Sequence, residues 1–171
     1  TTLAQMVDVL ADLPLIYQPG TSWEYSLAID VVARLVEVIS GQRFDKFIQA
    51  RILDPLGMVD TGFVVPDKDQ GRLVAYYAGA DLMEPMKPGL TRTDNAPFPG
   101  AYLRPIARLN GGGGLVSTLP DMVALIRSLL PGGKTLLKPE TIALMMTNQL
   151  PEGQWIRFAL MGPQPGKVHG L

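Results

Sequence analysis

The chain has 171 residues, enough for one domain of ordinary size or a little more. Hydrophobic residues make up 47%, so a sizeable core is affordable, and 15 basic against 16 acidic side chains leave a formal charge of −1. That balance argues against a nucleic-acid partner and against anchoring on an anionic membrane, both of which demand a basic face, and the absence of Cys excludes disulfides, thiolate nucleophiles and thiolate metal ligands.

Residues 2–12 predict a helix. Leu3, Met6, Val7 and Leu10 recur at helical spacing, Thr2 with Gln5 forms a capping box, and Pro14 lies beyond the end. "YQPGTSW" is a turn. A second helix is expected over 28–40, apolar nearly all round and therefore buried, with Asp30, Arg34 and Glu37 as its polar stripe and Gly41 as its stop. A third, over 43–53, turns Phe44, Phe47, Ile48 and Ile52 inward and is blocked by Pro55. "RLVAYYAG", 72–79, is the best strand candidate.

Residues 80–114 hold five prolines and the run Gly111 to Gly114, and read as a long, ordered loop lining a site. A helix over 119–130 follows, with Thr118 as cap, Asp121 in its first turn and Leu119, Val123, Ile126 and Leu130 as the buried stripe. A last helix covers 139–147, opened by Pro139. The tail ends in a strand that begins near "VHGL". No run of 18 uncharged apolar residues is present, so no membrane-spanning segment is expected.

Several motifs have bland explanations. "GGKT", 132–135, lacks the earlier Gly of a phosphate-binding loop and reads as a helix-ending turn. His169, the single His, has no G-x-S-x-G elbow to serve, and one His without Cys makes a poor metal site. Asp30, Glu37 and Asp45 read as solvated helix faces. "GGGGLVST" brings backbone close to something, either another element or a substrate pocket. Tyr25, between a Pro-Gly turn and an apolar helix, is either packing or chemistry. As a base near neutral pH, a tyrosine needs a neighbouring cation to favour the phenolate.

The stretch "LPLIYQPGTSWEYSLAIDVVARLVEVISGQRFDKFIQARILDPLGMVDTGF" resembles the serine β-lactamase and penicillin-binding-protein-like superfamily, and within it the class C β-lactamase-like esterases known as family VIII carboxylesterases. "GGGGLVSTLPDMVALIRSLLPGGK" and "LMMTNQL" match in the same order. The resemblance implies an α+β, β-lactamase/transpeptidase-like fold, with this chain an internal segment: mostly the helical subdomain, with a few strands. It implies a Ser nucleophile in Ser-x-x-Lys, a Tyr in Tyr-x-Asn as general base, and a third motif on a strand edging the pocket. The family's Tyr falls on Tyr25. Substrate contacts are then expected from Leu27, Phe98, Tyr102, Gly112 and Gly113.

Two departures refine this. Position 27 is Leu rather than Asn, so it offers apolar surface in place of an amide, which favours esters over β-lactams. No Ser is followed three residues later by Lys, which places the nucleophile, like the closing strands and the third motif, in the remainder of the protein's own chain. The expected activity is hydrolysis of small-molecule carboxylic esters through an acyl-enzyme, with no metal and no cofactor. The alternatives are a β-lactamase or D-amino peptidase, an acyltransferase, and a non-catalytic ligand-binding relative.

Overall fold

The structure, a computed structural model, describes every residue except Leu82, Pro85, 94–99, Lys134, Trp155 and 157–171. The expected substrate contact at Phe98, the single His169 and the strand near 168–171 therefore lie outside the described residues.

Helix α1 is Leu3–Ala11, and its capping box forms as read: Gln5 N donates to Thr2 Oγ1, and Thr2 N donates to Gln5 Oε1. Helix α2 is Ala28–Ser40, closed by Gly41 at φ 67°. Helix α3, Phe44–Ile48, passes into a π-helical segment, Gln49–Leu53, and then into a short helical turn, α4, Asp54–Leu56. Pro55 thus does not block the helix. Its missing N–H is absorbed by the wider turn, in which Asp54 N reaches back to Gln49 O and Met58 N to Leu53 O. Gly57, at φ 70°, ends the run.

A 3₁₀ segment, Asp67–Arg72, leads to strand β1, Tyr76–Gly79. It pairs antiparallel with β2, Leu90–Thr93, with Tyr76 opposite Thr93. The strand expected over 72–79 is therefore only its second half, and the segment read as irregular contains its partner. Helices α5, Leu119–Ser128, and α6, Pro139–Met145, complete the described elements. Gly133 closes tightly on α5, where a side chain would meet the Arg127 carbonyl. This supports a helix-ending turn at Gly132 and Gly133.

The core gathers Leu3 and Met6 of α1, Ala33 of α2, Phe63 and Leu109, with Val7, Leu10, Phe44 and Ile106 packed against it. Phe44 and Phe63 stack at a tilt, 6.1 Å between centroids. Leu109 brings the chain into this core directly before the glycine run, so the run lies on the same side of α2 as the core.

Helix α2 departs from expectation. Its buried residues are Asp30 and Ala33, while Ile29, Val31, Val32, Leu35, Val38 and Ile39 are exposed. Elements of this chain cover one narrow face of it. The expected buried stripe of α5 is exposed too, at Leu119, Val123, Ile126 and Leu130, and its buried residues are instead Asp121 and Ser128. Nor does Thr118 cap α5 with its side chain.

Candidate functional site

Tyr25 stands at the end of a fixed approach. Thr21 donates to Gln18 O through both N, at 3.1 Å, and Oγ1, at 2.7 Å, closing the Pro-Gly turn. Gln154, from the far end of the described chain, donates to Gly20 O. The chain then runs without regular structure through Trp23 to Tyr25. Ser26 Oγ accepts from Ala28 N at 3.2 Å, an ST-type turn that starts α2 in place of a cap from Leu27. Leu27 O accepts from Asp30 N at 3.0 Å and from Val31 N at 3.2 Å. Tyr25 is 71% exposed and Leu27 is exposed beside it.

The residue that sequence reasoning missed is Asp30. It was expected on a solvated face, yet it is only 5% exposed. Its Oδ1 accepts from Gly112 N at 2.9 Å, a bond across 82 residues. The glycine run lies on the first turns of α2. A methyl on Gly111 would fall 2.4 Å from Ile29 O and 2.9 Å from Ala33 Cβ. One on Gly112 would meet Asp30 Oδ1 and Ile29 Cβ at ordinary contact distance, and one on Gly113 would meet nothing within 4 Å. Of the two readings of this run, close packing on another element is realised at Gly111. Gly112 has its amide committed to Asp30, and Gly113 faces open space. A signal for this was present in the sequence. Asp30 and Ala33 share one helix face at i, i+3, a small residue beside a polar one, which is what a side-chain-free backbone docks against.

Tyr102 is placed differently. It takes φ 65°, a conformation uncommon for a residue with a side chain, and its carbonyl accepts from Val65 N at 2.8 Å. It therefore joins the 61–66 segment rather than the start of α2. That segment also borders a cleft of about 390 Å³ lined by Lys46, Leu53, Phe63, Val65, Arg72 and Val116 among others. One wall is held by a buried polar knot. Asp121 Oδ2 accepts from Asp60 N at 2.9 Å and Thr61 Oγ1 at 2.7 Å, and Thr61 Oγ1 also bonds Ser117 Oγ at 2.8 Å. Gly62 and Val116 exchange both backbone hydrogen bonds alongside.

At the rim, Arg72 grips Asp60 through Nη1 and Nη2, both at 2.7 Å, and hydrogen bonding to that guanidinium holds the Asp60 carboxyl below its ordinary range. Arg43 does the same to Asp45. Among the described residues, no three of His, Cys, Asp or Glu gather in a way that would hold a metal. No helix among them is long and apolar enough to cross a membrane.

A family model described as Beta-lactamase matches residues 1–159. The chain belongs to the β-lactamase family. This β-lactamase-family chain is 34% identical over 148 residues to the lovastatin esterase of Penicillium rubens, covering 85% of this chain and 35% of that protein. It is 32% identical over 145 residues to esterase EstB of Burkholderia gladioli, covering 78% of this chain and 35% of that protein. Among solved structures it resembles EstCE1, described as a hydrolase with promiscuous acyltransferase activity, at TM-score 0.69 and 30% identity, covering 85% of this chain and 40% of that one. The expected kinship with β-lactamase-like esterases and the β-lactamase/transpeptidase-like fold are both borne out. The chain spans 35% of the length of the two esterases it matches.

Proposed function

We propose that this chain is an internal segment of a serine hydrolase that cleaves carboxylic esters through an acyl-enzyme, with Tyr25 as general base. The observation that carries the reading is the exposed phenol of Tyr25, set directly ahead of α2 in a chain of the β-lactamase family. Relatives whose names are esterases support the choice of ester over lactam, as does apolar Leu27 at the N-cap of α2.

In this reading Tyr25, held as a phenolate by the motif's Lys ammonium in the remainder of the protein, takes the hydroxyl proton of a Ser from that remainder as the Ser attacks the acyl carbon, and passes the proton to the departing alkoxide, which leaves as the alcohol. Water then releases the acid from the acyl-enzyme. Gly113, with open space above it, and Leu27 border the acyl group, and Tyr102 belongs to a more distant wall. The remainder of the protein also covers the exposed apolar faces of α2 and α5.

The test is Tyr25→Phe in the full-length protein, assayed on p-nitrophenyl butyrate. A kcat lowered by a factor on the order of 10² to 10⁴, with unfolding unchanged, is expected. Unchanged turnover refutes the assignment. A second reading, acyl transfer to an alcohol, is favoured by the likeness to EstCE1. Product analysis with an added alcohol separates the two.

A further inference from the structure

We propose that Asp30 is a positioning residue of this same site: its carboxyl holds the glycine run against the first turn of α2 and so fixes the pocket wall relative to Tyr25. The proposal rests on the Tyr25 reading above.

Three observations converge on it. First, the carboxyl is buried, and its bond goes not to its own helix but to Gly112 N, 82 residues away. An acidic residue in a first turn ordinarily serves its own helix end. Second, the contact it secures has almost no side chains. Gly111 lies on Ile29 O and Ala33 Cβ, while Leu109 in the core and the Gly62–Val116 backbone bonds hold the two ends of the run. Glycine backbone has wide conformational freedom, and a run of four holds one shape only when something anchors it. Within the run itself, the Asp30 hydrogen bond to Gly112 N is the tie to α2. Third, Asp30 is coupled to the other half of the site through its backbone. Its N–H donates to Leu27 O, two residues after Tyr25. One residue thus binds the glycine wall with its side chain and the Tyr25 turn with its main chain. A catalytic group and a pocket wall displaced by about 1 Å lose on the order of 10² in rate.

A merely structural carboxyl would affect folding and leave the turnover of folded molecules alone. The experiment therefore measures kcat and KM on p-nitrophenyl butyrate per folded molecule, in the full-length protein. The variants are Asp30→Ala, Asp30→Asn, Asp30→Glu and Tyr25→Phe. Asp30→Ala is expected to lower kcat about 10- to 100-fold with KM changed less than about threefold. Asp30→Asn keeps an acceptor oxygen at the same place and is expected to recover at least about tenfold where the loss is that large. Asp30→Ala with kcat within about threefold of wild type overturns the proposal, and so does Asp30→Asn no better than Asp30→Ala.

If Asp30→Ala does not fold, the order of the other two decides. Asn above Glu supports an acceptor at a fixed distance, and Glu above Asn points to charge and overturns it. Tyr25→Phe separates the two claims. Full turnover there overturns the Tyr25 reading and this one with it. Loss there, combined with full turnover in Asp30→Ala, overturns Asp30 alone.

Discussion

A methyl group on Gly111 would lie 2.4 Å from the carbonyl oxygen of Ile29, closer than any side chain carbon can sit. The obstacle is helix backbone, which cannot rotate away. Gly111→Ala must therefore lift the run off α2, and a loss of about 1–3 kcal/mol in urea unfolding is expected. Gly113→Ala, two residues on, meets nothing within 4 Å and does not take a positive φ. It is expected to be neutral or to gain about 0.4–1 kcal/mol by restricting the unfolded chain. Equal losses at both positions would contradict the packing described for the run.

Acid should weaken the protein through its paired carboxylates. Asp60 and Asp45 both titrate below their ordinary value of 3.8 in the folded state, Asp60 chiefly through hydrogen bonding to Arg72 and Asp45 chiefly through Arg43. Above that value both carboxylates are charged in either state and the stabilisation is complete. Below it the unfolded chain binds protons first, so stability falls with pH until the folded carboxyls protonate too. Asp60→Asn should flatten that acid limb, and its difference from wild type should shrink as pH falls below 3.8. Because the Asp60–Arg72 pair sits at the surface, about 1 M salt should shrink the difference at neutral pH as well. Unfolding midpoints followed from pH 2 to 7 at two salt concentrations check both statements.

Local signals were legible in the sequence, and partners were not. Thr2 and Gln5 announce α1, and Gly41 announces the end of α2, because capping and left-handed closure are decided within four residues. Helix positions followed from spacing. Burial did not, since periodicity reports which face is apolar and says nothing of what covers it. Hence Val32 and Leu35 of α2 and Ile126 of α5 stand exposed, while Asp30 and Asp121 are buried by bonds to Gly112 and Thr61, 82 and 60 residues away. Strand β2 was missed although two of its four residues are β-branched Thr, because it lies in a proline-rich stretch and its register with β1 is set by pairing. Tyr25 and Leu27 became candidates through family resemblance, whereas the burial of Asp30 against Gly112 needed coordinates.

The exposed face of α2 yields a test of the proposal that the remainder of the protein covers it. Leu35→Lys is the probe, at the middle of that face. If the face is covered in the full-length protein, an unpaired ammonium is buried there and about 3–5 kcal/mol is lost. If it stays open, the change is within about 0.5 kcal/mol. Chemical denaturation of the full-length variant distinguishes a layer packed on α2 from a helix that stands in solvent.

Leu27 offers the most direct test of substrate preference, because two of its properties are separable. It is the N-cap of α2, and its side chain makes no capping bond. Asn at this position is a favourable cap, so Leu27→Asn should gain about 0.5–1 kcal/mol in stability whatever the substrate. The second effect depends on the site. An amide beside Tyr25 restores the Tyr-x-Asn pattern of the lactam-directed relatives and takes apolar surface from an ester's acyl chain. The ratio of kcat/KM for nitrocefin to that for p-nitrophenyl butyrate should rise about tenfold, equivalent to about 1.4 kcal/mol of differential transition-state binding. A gain in stability with an unchanged ratio would mean that position 27 does not face the substrate, and the proposed preference for esters would lose that support.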